Sequence, residues 1–233
     1  MKFLSILFFA IFLQACAAVS SVERPSNYYE GTSADEQAGI FNETTLGDND
    51  EKIRSLLNYR IKLPKSNRVA ILKLNRENRW RFYSGDFTQL TDSIVTQVID
   101  KLRSSERVYD ASILPAMLIP AQKSVPVLRE AAARFQADLL LGYRTLCNSY
   151  QKSKIFKADE SKSYCSVEAI LLDVRSGIVV KSIVSVEDFV AIEKAEDTNF
   201  SETIKKAELE ASAKALGTIA EEVVSYLSNV PVL

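Results

Sequence analysis

Five consecutive residues, Leu139-Leu140-Leu141-Gly142-Tyr143, constrain this chain most. Successive side chains of a β-strand point to opposite faces, so an unbroken run of leucines is apolar on both. Such a strand belongs in the middle of a sheet. The chain has the material for one: 47% of its 233 residues are hydrophobic and 25% charged, with only 7 Gly and 6 Pro. That make-up suits one globular domain or two small ones.

The remaining elements follow from hydrophobic period. Residues 68–74, short, apolar and β-branched, predict a first buried strand. Leu90, Ile94, Val98 and Leu102, backed by Val95 and Ile99, predict a helix after it, with Asp86 and Gln89 spaced as a capping box. A weak strand over residues 109–114 comes next. Ser124 then caps a helix with Pro126 in its first turn and Val125, Leu128, Ala132 and Phe135 on one side. After the leucine strand come strands over residues 164–172 and 178–186, joined by Asp173-Val174-Arg175-Ser176-Gly177, where Gly suits a tight hairpin. A last helix over residues 201–227 carries Leu209, Ala213, Leu216, Ala220, Val223 and Leu227 as a core-facing stripe. The order β-α-β-α-β-β-β-α predicts an α/β (α+β) fold, a mixed sheet of about five strands with about three helices, as one domain over residues 53–233.

At the amino end, Lys2 precedes an apolar run over residues 3–13, broken only by Ser5. Eleven residues at 1.5 Å each reach about 16 Å, well short of the roughly 30 Å hydrocarbon core, so the run reads as a signal peptide over residues 1–15. Leu13-Gln14-Ala15-Cys16 resembles the lipobox of bacterial lipoproteins, in which the cysteine is diacylated and becomes the first residue after cleavage. The resemblance implies a palmitate-type modification at Cys16 that binds membrane lipid, since dozens of methylenes at about 0.8 kcal/mol each exceed the threshold for stable anchoring. The plainer alternative is an ordinary signal peptide cut after Ala15 or Ala18. Ala17 and Ala18, rather than Asp, follow the cysteine, and the resemblance then implies delivery to the outer membrane, facing the periplasm. Residues 16–52 read as an acidic disordered tether: between Glu23 and Glu51 there are eight acidic residues and one basic residue, Arg24. A flexible stretch of that length spans about 30 to 35 Å.

Much chemistry is excluded. The chain has no histidine, which removes Ser-His-Asp and Cys-His catalysis and every zinc site that needs imidazole. With 29 Lys plus Arg against 30 Asp plus Glu, the net charge of -1 leaves no footprint for nucleic acid. No glycine-rich phosphate loop is present. Asp48-Asn49-Asp50 opens like a calcium loop, but the twelfth position is Tyr59, which cannot supply a bidentate carboxylate. Ser149-Tyr150-Gln151-Lys152 matches the S-x-x-K of penicillin-recognising enzymes, yet falls in a hairpin loop without a K-T-G partner. Carboxylate pairs Glu187 with Asp188 and Glu221 with Glu222 fit a solvated face better than acid–base work. No cofactor or metal is expected, and the protein reads as no enzyme, a hydrolase without histidine being the weaker alternative.

Three pieces carry a family resemblance: Val69-Ala70-Ile71-Leu72, Ala137-Asp138-Leu139-Leu140-Leu141-Gly142 after a helix, and Leu171-Leu172-Asp173-Val174-Arg175-Ser176-Gly177-Ile178-Val179. Together they resemble the TolB amino-terminal, CsgG and LpoB type of periplasmic domain over residues 53–228. Residues 129–138 and the hairpin also resemble the uncharacterised lipoproteins called rhombotarget, although the Gly-Gly tail of that system is not in this sequence. The resemblance implies a non-catalytic module that binds an envelope protein. A CsgG-like secretion subunit is the alternative, but no strand pair alternates apolar outward and polar inward as a pore requires.

Cys147 and Cys165 remain, in a chain expected in an oxidising compartment. A hairpin centred near Phe156 would pair residues whose numbers sum to 312, placing Cys147 opposite Cys165, Thr145 opposite Val167 and Tyr143 opposite Ala169. Facing Cα atoms lie about 4.5 to 5.5 Å apart, within disulfide reach. Two separate buried thiols are the alternative; without a CxxC motif, redox catalysis is not expected. For partner binding the sequence offers Arg76, Arg79, Trp80, Arg81, Phe82 and Tyr83, with Phe87, residue types enriched at interfaces and clustered in a loop after a strand. The competing reading is that Trp80 and Phe82 cover the sheet end while the arginines face water.

Overall fold

A computed structural model describes residues 39–40, 50–75, 85–119, 121, 123–152 and 158–233, with the backbone alone at residues 52 and 85–88. Helix α1 spans Asp50–Asn58, strand β1 Asn67–Lys73, helix α2 Gly85–Arg103 and strand β2 Val108–Ile113. A 3₁₀ turn at Ala116–Leu118 precedes α3, Val125–Arg134. Three long strands follow, β3 Leu139–Lys152, β4 Glu160–Asp173 and β5 Val179–Ile192, and then helix α4, Phe200–Asn229. The strands form one sheet in the order β2-β1-β3-β4-β5, with β1 parallel to β2 and β3, and β3, β4 and β5 antiparallel. This is the mixed α/β (α+β) architecture that the sequence predicts, with helix α1 added before the first strand.

The leucine strand divides the core as its alternation requires. Leu139 and Leu141 join Val69, Ile71, Val167 and Leu171 beneath Ile94, Val98 and Leu102 of α2 and Ile219, Val223 and Leu227 of α4. Leu140 points the other way, joining Ala70, Leu72 and Leu172 beneath Val125, Leu128 and Ala132 of α3. All three leucines are buried.

Two aspartates lock the connections at one end of this sheet. Asp138 Oδ2 accepts the Arg68 N–H at 2.8 Å, and its Oδ1 accepts from the Arg175 guanidinium. The Asp173 carboxylate accepts from the backbone N–H of Arg175 and of Ser176 and from the Ser176 hydroxyl, closing the β4–β5 turn. Gly177 ends that turn at φ +78°, and a Cβ there would lie 2.9 Å from Arg129. Asp before the apolar strand and Asp-x-x-Ser-Gly in the hairpin are thus explained by one interlocked corner.

Helix α4 is held at its start by a second polar cluster. Asn199 Oδ1 accepts the Glu202 N–H at 3.2 Å, while Glu202 Oε2 accepts the Thr198 N–H at 3.0 Å, a reciprocal cap. Beside it, buried Asp197 accepts from Lys206 Nζ and Thr203 Oγ1, both at 2.6 Å. Burial pushes the Asp197 carboxyl up, but the Lys206 and Thr203 hydrogen bonds, the Lys194 N–H and the Lys206 charge outweigh it, leaving Asp197 below its ordinary 3.8. A carboxyl depressed in the folded state stabilises at pH values above its unfolded pKa and loses that contribution as pH falls through the folded one. We therefore expect acid unfolding below about pH 4 to be steeper in the parent than in Asp197→Asn, measured by the stability difference between roughly pH 5 and pH 2.

The antiparallel strands run further than their apolar segments suggest. β1 pairs with β3 only as far as Lys73 opposite Tyr143, and the Asn75 side chain extends that edge by bonding the backbone of Thr145 through both its Nδ2 and Oδ1. β3 continues from Arg144 to Lys152 without β1, so β3, β4 and β5 project as a three-stranded arm about 30 Å long. The predicted strand ends at residues 143, 164 and 186 move to 152, 160 and 192. The amino-terminal half of α4 accounts for this: it gives the polar strand extensions a surface to pack on.

Candidate partner-binding surface

The two faces of the arm differ. Toward α4, β4 presents Ser161, Ser163, Cys165, Val167 and Ala169, all buried, and α4 answers with buried Ala207, Ala211 and Ala215. Small residues on both sides let helix and sheet approach closely. Cys147 and Cys165 face each other and are bonded, with Cα atoms 4.2 Å apart. The register is the one that sums to 312, with Thr145 opposite Val167 and Tyr143 opposite Ala169. One turn outward, Ser149 Oγ lies 2.8 Å from Ser163 Oγ and donates to Glu208 Oε1 at 2.9 Å, while Lys205 pairs with Glu208. The disulfide joins β3 to β4, and the polar ladder joins the covered face to the helix.

Among the described residues no helix lies over the outer part of the opposite face. There β5 carries Val184, Val186, Val190 and Ile192, each between 47% and 61% exposed. Tyr150 and Tyr164 stand on the same face of β3 and β4, edge to face with ring centroids 5.9 Å apart. The charges between them are matched: Arg144 pairs with Glu168 at 2.6 Å and Lys162 with Asp188 at 3.1 Å. Lys162 also sits 4.6 Å from the centre of the Tyr164 ring, and contact with Tyr164 and Asp188 raises its pKa above the ordinary 10.5. A partner covering this face meets apolar side chains and charges already neutralised by neighbours. The β5 edge is guarded differently, for Lys214 Nζ reaches across from α4 to the Asp188 carbonyl at 3.1 Å and blunts strand addition there.

The residues proposed from sequence fare variously. Cys147 and Cys165 come together. Arg76, Arg79, Trp80, Arg81, Phe82 and Tyr83 lie outside the described residues, as does Cys16; Phe87 falls in the first turn of α2, where only backbone is described, and not in a loop. That helix starts at Gly85, one residue ahead of the expected Asp86 cap. Ser149 and Lys152 sit on strand β3 rather than in a loop, and three residues along a strand put them on opposite faces, so they make no nucleophile–base pair. Glu221 and Glu222 pair with Lys101 and Lys181 at the surface. Among the described residues there is no group of acidic or cysteine side chains able to hold a metal, and no helix long and apolar enough to cross a membrane. The bare face is only partly legible in the sequence: Val184 and Val186 lie within the predicted strand, and Val190 and Ile192 resume the same even-numbered row beyond it, after Asp188 breaks the apolar period.

No family model matches the chain, so the likeness to TolB, CsgG and LpoB domains rests on its motifs alone. No curated protein matches it in sequence. Solved structures give low-level matches. PelC from Paraburkholderia phytofirmans, solved as a dodecamer, is 17% identical, with 70% of this chain and 94% of that one covered and a TM-score of 0.35. Lipoprotein GNA1162 from Neisseria meningitidis is 14% identical over 70% of this chain and 98% of that one, with a TM-score of 0.30. A minor lipoprotein from Acinetobacter baumannii is 10% identical over 73% and 97%, with a TM-score of 0.29.

Proposed function

We propose that this protein is a lipid-anchored, non-catalytic module of the bacterial envelope that binds another envelope protein through the bare face of its arm. The observation that carries the reading is the half-exposed row Val184, Val186, Val190 and Ile192 on a face whose charges are paired among themselves. Such a face loses little by desolvation and gains about 25 cal/mol for each Å² of apolar surface covered. The lipobox-like segment supports acylation at Cys16, and Ala17 and Ala18 support the outer membrane as its seat. The tether then supplies reach and the domain supplies the contact.

The test is affinity capture from solubilised envelopes by the parent chain and by Val186→Asp with Val190→Asp. Both positions are exposed, so the fold should survive, as circular dichroism would verify. One partner held by the parent and reduced at least tenfold in the variant is expected, because a charge desolvated without a partner costs several kcal/mol. Equal capture by both would remove this face from the function.

A further inference from the structure

Helix α1 and the segment after it show a second surface for which the arm has no use. Ile53, Leu56 and Leu57 fall three and four residues apart, hence on one side of the helix, and are 51%, 51% and 73% exposed. Tyr59 just beyond is exposed too. Polar Ser55 and Asn58 and acidic Glu51 take the other side of the turn. A face like this on a nine-residue helix has no packing partner among the described residues, although Leu63, shortly after it, is fully buried and bonded to the carboxy-terminal segment. The chain is therefore held to the domain from Leu63 onward, while the apolar side of the helix that precedes it meets water.

Charge changes sign at this helix. Upstream, residues 23–51 hold eight acidic residues and one basic residue; downstream, residues 52–65 hold Lys52, Arg54, Arg60, Lys62 and Lys65 and no acid. Arg54, Arg60, Lys62 and Lys65 are exposed. The chain as a whole carries -1, so a stretch of +5 in fourteen residues is a local concentration rather than a general bias. An apolar side bordered by basic residues fits the boundary between acyl chains and anionic headgroups.

We infer that α1 docks on the anionic surface of the membrane that holds the protein, with Ile53, Leu56 and Leu57 entering the headgroup region and Arg54, Arg60, Lys62 and Lys65 on the phosphates. This rests on the anchor reading, since three apolar side chains bind only weakly alone. The tether raises their effective concentration at the bilayer to a value at which weak binding suffices.

The experiment uses the full acylated chain reconstituted in vesicles. With Cys16 carrying its thioether and Cys147 bonded to Cys165, Leu57→Cys supplies one reactive thiol for a polarity-sensitive fluorophore; Met117→Cys, at a position 97% exposed, supplies the reference. In phosphatidylethanolamine vesicles containing phosphatidylglycerol, the label at residue 57 should shift to the blue and be quenched by lipid-borne nitroxide, while that at residue 117 stays in water. Each basic residue near an anionic surface multiplies partitioning about fivefold. Arg60→Glu with Lys62→Glu, or phosphatidylcholine alone, should therefore lower the quenched fraction by at least tenfold in apparent partitioning. A residue-57 label as wet as the reference in every vesicle, on protein whose mass shows the acyl chains, overturns the docking and leaves the anchor intact. A blue shift without lipid quenching also overturns it, because the tether or a second copy then covers the face. Protein without acyl mass at Cys16 refutes the anchor reading instead.

Discussion

Leu141→Ala is expected to lower the unfolding free energy by about 3 kcal/mol, within the roughly 2–5 kcal/mol seen for buried leucines. Leu141 is 1% exposed on the central strand, between β1 and β4 and beneath α2 and α4, so little around it can collapse into the space left. Leu140→Ala should cost a similar amount although its side chain enters the other layer, beneath α3. Denaturant titration measures both as a shift in midpoint with the slope preserved. A large loss at one position and a trivial one at its neighbour would contradict a strand covered on both faces.

The disulfide should carry a comparable share. Cys147 and Cys165 are separated by 18 residues, and closing a ring of that size limits the unfolded chain by about 3 kcal/mol on the chain-entropy account. Cys147→Ser with Cys165→Ser is expected to lose about that much, and reduction of the parent should reproduce the loss. The variant should keep its fold, because Ser149, Ser163 and Glu208 still tie the arm to α4. Equal stability of the oxidised and reduced parent would show that the hairpin is already closed in the unfolded chain.

These predictions concern the parts of the molecule that the sequence displays plainly. Leu139 to Leu141 reveal a two-sided core because strand alternation leaves no other place for three adjacent leucines. The cysteine pairing is legible because an antiparallel register is a single number, and a hairpin centre near residue 156 fixes it. Helix α1 is not legible: Asp50 and Glu51 read as a continuation of the acidic tether, and three apolar residues are too few to establish a period. The outer arm escaped for a different reason. Glu187 and Asp188 interrupt the hydrophobic run, yet the strand passes through them, Asp188 pairing with Lys162 across the ladder. Only the long α4 above, itself capped by Asn199 and Glu202 well ahead of its apolar stripe, shows why such polar strands are ordered.

The bare face of the arm is the claim on which the function depends, and photocrosslinking in living cells tests it most directly. A photoreactive amino acid placed singly at Val184, Val186 or Val190 should trap the same envelope protein from all three positions. The same group at Tyr109 or Met117, exposed elsewhere on the domain, should not. Capture of that protein equally from all five sites, or from none of the three on the arm, would contradict the account.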